Sequence, residues 1–65
     1  MILRFKTKRN TNGHRKYIAI DTDLKTYCNT SPRMIMEGIE ITSRAYNEIT
    51  TILLQENYIH SEKHF

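Results

Sequence analysis

The sequence predicts an α+β domain: a small antiparallel sheet of three strands, or four if a short run near residue 40 joins it, packed against one C-terminal α-helix. Three observations lead there. Asn12-Gly13 sits between two alternating runs, a stretch after Thr42 has apolar residues at three-and-four spacing, and 65 residues leave room for one core only. The chain divides into a basic hairpin and third strand (1–29), a loop and short strand (30–41), a helix (42–58) and a tail (59–65).

Asn-Gly tolerates the positive φ angles of a two-residue type I′ turn, the commonest way to close a hairpin. With Asn12-Gly13 at that turn, Thr11 faces His14, and the pairs Arg9–Lys16, Thr7–Ile18, Phe5–Ile20 and Leu3–Thr22 follow outward. This register gathers Leu3, Phe5, Ile18 and Ile20 on one face. On the other it sets Lys8 against Tyr17, Lys6 against Ala19 and Arg4 against Asp21, the last a pair of opposite charges.

A second reversal is expected at Asp21-Thr22-Asp23-Leu24-Lys25, where Asp and Thr side chains can satisfy local backbone groups, and Thr26-Tyr27-Cys28-Asn29 reads as the returning strand. Pro32 marks a loop, followed by Met34-Ile35-Met36 and then Ile39-Glu40-Ile41. The last three alternate as a short fourth strand would, with an extended linker under the helix as the alternative. Thr42 or Ser43 supplies an N-cap, and Ala45, Tyr46, Ile49, Ile52 and Leu53 form the apolar helix face, with Leu54 pointing away. Asn57 suits the left-handed position that ends a helix, with Tyr58 and Ile59 folding back over the last turn and the residues beyond them frayed.

Cys28 is the only cysteine, so an internal disulfide is excluded and a cytosolic location is expected. The N-terminus lacks the apolar run of a signal peptide, and Ile52-Leu53-Leu54 is far too short to span a bilayer. The richness in Ile, Lys, Asn, Thr and Tyr is the composition of a low-GC bacterial or phage gene.

Catalytic and metal chemistry find little support. His60 and His64 are four apart and Cys28 could add a third ligand, but no paired-ligand motif is present, so neither metal nor cofactor is expected. Cys28 with His14 or Asp21 is the sole nucleophile set, Gly13 and Gly38 are too few for a phosphate-cradling loop, and Asp21, Asp23, Glu37 and Glu40 fall at turns and edges. A non-enzymatic binding protein is the expectation.

Charge is distributed unevenly. Residues 1–33 hold eight Lys/Arg against two Asp, whereas residues 34–65 hold two against five Glu. Arg4, Lys6 and Lys8 alternate along one strand, Tyr17 lies beside Lys8, and Arg9, Arg15 and Lys16 crowd the turn with no acid among them. Cations without interspersed acids, next to an aromatic, point to nucleic acid, whose phosphates are met chiefly by Lys and Arg. The alternatives are a module that presents the same patch to an acidic protein surface, and a homo-oligomer, a homodimer at simplest, paired through an exposed strand edge or through Leu54 and Met34-Ile35-Met36.

Overall fold

The computed structural model describes residues 1–31, 37–63 and 65. Among them lie β1 (Ile2–Thr7), β2 (Tyr17–Asp21), β3 (Thr26–Cys28), β4 (Ile39–Ile41), α1 (Ser43–Gln55) and β5 (Ile59–His60). The strands form one sheet in the order β4-β1-β2-β3-β5. The α+β class stands, but the sheet is mixed rather than antiparallel. β1, β2 and β3 form an antiparallel meander, while β4 runs parallel to β1 and β5 parallel to β3.

Parallel neighbours require a crossover, and two segments of this chain supply one. After β3 the chain re-enters the sheet beyond β1, in the direction of β1; after β4, α1 carries it to the opposite edge, where β5 lies beside β3. The fourth strand thus forms where Ile39-Glu40-Ile41 predicts it, at an edge. Gly38 just before it takes φ +129°, and a Cβ there would meet the Arg4 carbonyl oxygen of β1 at 3.6 Å. The Met34-Ile35-Met36 segment, Pro32 and His64 lie outside the described residues.

The core sits between α1 and one face of the sheet. Ile18, Ile20, Tyr46 and Leu53 are buried together, with Leu3, Phe5, Tyr27, Ile41, Ile49 and Tyr58 packed around them. Burying a side chain such as Ile18 or Leu53 in this way is worth about 1.5–3 kcal/mol. Two residues of the expected apolar stripe depart from it: Ala45 is half-buried and Ile52 is largely exposed, as Leu54 is.

The helix ends follow local chemistry. Thr42 is the N-cap and its hydroxyl accepts from the Ala45 N–H at 3.1 Å. At the other end Asn57 takes φ +61°, the Asn57 N–H donates to the Leu54 carbonyl, and the Tyr58 N–H donates to the Leu53 carbonyl at 2.9 Å. This is a full Schellman closure, and Tyr58 packs back on the core beside Leu53. Ile59 does not fold back; it enters β5 and stays exposed.

The first hairpin differs from expectation in register. Leu3 lies opposite Ile20, Arg4 opposite Ala19, Phe5 opposite Ile18 and Lys6 opposite Tyr17, two residues displaced from the predicted pairing. A two-residue shift leaves every side chain on its own face, so the apolar cluster survives while the Arg4–Asp21 pair does not. Asp21 instead serves the second reversal, its Oδ1 accepting from the Asp23 and Leu24 N–H groups at 3.0 and 3.1 Å. The cause is Asn10. Its Oδ1 accepts from the Asn12 and His14 N–H groups at 2.9 and 3.0 Å, and its carbonyl accepts from the Gly13 N–H at 2.9 Å. The turn therefore runs from Asn10 to Gly13, with positive φ at Gly13 but not at Asn12, which corrects the two-residue type I′ turn.

The second sheet face is covered too. Ala19 and Cys28 are buried there, with Tyr17 and Phe65 packed against them. The tail expected to fray instead pairs with β3 through Ile59 and His60 and returns Phe65 to the sheet.

Candidate functional site

The cations singled out in the sequence do not share one flat ribbon. Arg4 and Lys6 lie on the sheet face away from α1, because they alternate with Leu3 and Phe5, and the Arg4 Nε is buried without a hydrogen-bond partner among the described residues. Tyr17 on the same face is half-buried against Ala19 and Cys28. Lys8 and Arg9 project from the loop beyond β1; Arg15 and Lys16 approach β2 from the same loop.

Lys8, His14, Arg15 and Lys16 converge on one cleft of about 210 Å³ at the end of the sheet. Its remaining wall is Thr7, Asn10 and Ser43, so the loop of residues 8–16 forms one side and the first residue of α1 the other. Among the described residues no carboxylate lines it, and no acid lies in the first turn of α1. The positive end of the helix dipole adds to the side-chain charge there.

The wall is held by specific bonds. Thr7, almost fully buried, accepts at Oγ1 from the Lys16 N–H at 2.9 Å, and its own N–H donates to the Lys16 carbonyl at 2.9 Å. The Asn10 N–H donates to the His14 carbonyl at 2.9 Å. Lys8 and Arg9 therefore stand opposite Arg15 alone, a bulge of the kind that re-aims side chains at a sheet end. Arg15 Nη2 donates to Glu40 Oε2 at 3.3 Å across β1, and Lys16 Nζ lies 5.6 Å from the centre of the Tyr46 ring. Arg9 Nη1 reaches the Gly13 carbonyl at 3.4 Å.

Acids collect at the other end. Asp21 and Asp23 sit in the second reversal, where Asp23 pairs with the Met1 amine, and Glu56 follows the last turn of α1.

Thr7, Asn10 and Ser43 were not singled out by charge or motif. Ser43 carried the one usable signal, as an N-cap candidate. Also unforeseen is a polar chain in which the Asn29 Nδ2 donates to the Tyr46 hydroxyl at 3.2 Å and the Asn29 Oδ1 meets His60 Nε2 at 3.0 Å. The His60 ring stands edge-on to Tyr27 at 5.2 Å.

The nucleophile set is not assembled. Cys28 is buried with its Sγ donating to the Thr30 carbonyl at 3.4 Å, and His14 and Asp21 lie at opposite ends of the sheet. Among the described residues no three His, Cys, Asp or Glu side chains are grouped to hold a metal ion, and no helix is long and apolar enough to cross a membrane.

Comparison of the chain with protein-family models, with curated proteins and with solved structures finds no match.

Proposed function

We propose that this protein is a non-enzymatic binding protein that engages the phosphate backbone of nucleic acid through the loop of residues 8–16. The observation that supports this reading best is the carboxylate-free cleft where Lys8, His14, Arg15 and Lys16 converge beside the start of α1. Phosphate contacts come from such cations together with short hydroxyl and amide side chains, and Thr7, Asn10 and Ser43 are of that kind. Arg9 extends the same positive surface. Arg4, Lys6 and Tyr17 belong to the covered face in this reading, and contribute long-range field and packing rather than direct contact.

The test is fluorescence anisotropy of labelled duplex and single-stranded DNA and RNA at two salt concentrations, with a Lys8→Gln/Lys16→Gln variant. Both lysines are exposed, so the variant keeps its fold. Each lost phosphate contact lowers the slope of log K against log salt by about 0.9 on duplex DNA, so the double variant loses about 0.9 where both lysines meet one phosphate and about 1.8 where they meet two. Absence of binding at low salt, or a variant with the parental slope, overturns the proposal; an affinity confined to an acidic protein would then be sought instead.

A further inference from the structure

We propose that the cleft takes a terminal phosphate monoester, the phosphorylated end of a nucleic-acid strand, in preference to an internal phosphodiester; the inference rests on the nucleic-acid reading above.

Charge matching leads to it. Lys8, Arg15 and Lys16 bring three positive charges to the cleft, and Glu40, paired with Arg15, offsets one. Two remain. An internal phosphodiester carries one negative charge, whereas a phosphate monoester carries about −1.5 to −2 at neutral pH. An internal phosphate would leave the cleft under-neutralised, and a terminal one balances it.

The hydrogen-bonding inventory agrees. Asn10 Oδ1 is occupied by two backbone N–H groups, which leaves its Nδ2 to donate. Thr7 Oγ1 already accepts from the Lys16 N–H, so its hydroxyl proton is the group left to offer. The wall thus offers spare donors, as an anion rich in acceptor oxygens needs.

The experiment compares one oligonucleotide sequence in three forms, 5′-phosphorylated, 3′-phosphorylated and unphosphorylated, by anisotropy at fixed salt, with inorganic phosphate as competitor. The full chain is used, with Lys16→Gln and Arg15→Gln variants whose folding is checked by circular dichroism. At least one phosphorylated form is expected to bind about tenfold tighter than the unphosphorylated one, the size of one added charge-assisted hydrogen bond. Inorganic phosphate should displace it, and Lys16→Gln should bring the forms within about twofold, the second extra charge being gone. Should Arg15→Gln fail to fold, the Lys16→Gln comparison decides alone. Equal affinity for all three forms overturns this inference and leaves the nucleic-acid reading standing. Binding of none of them overturns both.

Discussion

Replacing Asn10 by alanine separates two ways of closing the first hairpin. The Asn10 carboxamide oxygen holds the Asn12 and His14 N–H groups at 2.9 and 3.0 Å. Both bonds are exposed, so water takes over the freed groups and each is worth about 0.5 kcal/mol, at the low end of the usual net value. Together they amount to roughly 1 kcal/mol, which lowers the Tm of a domain this small by about 4–8 °C. Asn12→Ala is the control. Asn12 does not take positive φ, and its side chain makes no hydrogen bond among the described residues, so its loss should stay within about 0.5 kcal/mol. In a two-residue Asn12-Gly13 turn the ranking reverses, because Asn12 would then hold a left-handed position that alanine tolerates poorly. Thermal melts followed by far-UV circular dichroism decide, with urea midpoints at unchanged m as a second reading. An Asn10→Ala protein that melts with the parent, or an Asn12→Ala protein that loses more, refutes the observed register and would dismantle the cleft with it.

Leu53→Ala should cost about 2–5 kcal/mol in urea denaturation, enough to unfold a domain of this size, while Leu54→Ala should stay within about 0.5 kcal/mol, because one side chain is buried in the core and the other is exposed. Lys25→Gly should raise the Tm by a few degrees. Lys25 sits at φ +52°, a strain of about 1–2 kcal/mol for a residue with a Cβ, against a glycine entropy cost of about 0.5–1 kcal/mol. Tyr46→Phe should cost about 1 kcal/mol, since it removes the hydroxyl that accepts from Asn29 Nδ2 at 3.2 Å and reaches the Tyr17 carbonyl at 3.5 Å. A melt unchanged by that substitution would show that the polar chain contributes nothing to stability.

What was legible in the sequence follows from what a period of two can encode. Alternation assigned Leu3, Phe5, Ile18 and Ile20 to the helix face correctly, and it would have done so for any even displacement of the strands. Register depends on the turn, and there the Asn12-Gly13 signal competed with Asn10, whose side chain can bond two residues ahead. Arg4 opposite Asp21 looked like confirmation. Asp21, however, is consumed by its own reversal, and the apparent pair was a coincidence of spacing. The helix was read well because both its ends carry local chemistry, Thr42 and Asn57, and its central residues a clear period. The parallel pairing of the outer strands was out of reach. The three residues of β4 show their alternation but not their partner, the two of β5 show no pattern, and the partners of both are distant in sequence. The cleft was legible as cations but not as a place, since Ser43 joins the loop only through that parallel pairing.

Topology explains why charge and helix meet at one end. β1 runs into the loop of residues 8–16, and β4, parallel to β1 with Ile41 beside Thr7, runs into α1 at that same end. The start of α1 is therefore brought to the loop, and its last turn to the end of the sheet that holds Asp21 and Asp23. This arrangement makes position, rather than total charge, the quantity that binding should follow. Glu56→Lys tests it. The substitution raises the formal net charge from +3 by two, more than any single variant of the loop removes. Yet Glu56 lines a groove with Leu3 and Thr22, about 20 Å from Ser43 at the cleft by the length of α1 at 1.5 Å per residue. At physiological ionic strength the screening length is about 8 Å, so a charge there is largely hidden from a phosphate held at Lys8 and Lys16. Affinity for nucleic acid should change by less than about twofold in Glu56→Lys, while Lys16→Gln, a change of one charge, weakens it by several-fold. If Glu56→Lys instead strengthens binding as much as Lys16→Gln weakens it, attraction follows net charge and the cleft is not where nucleic acid is held.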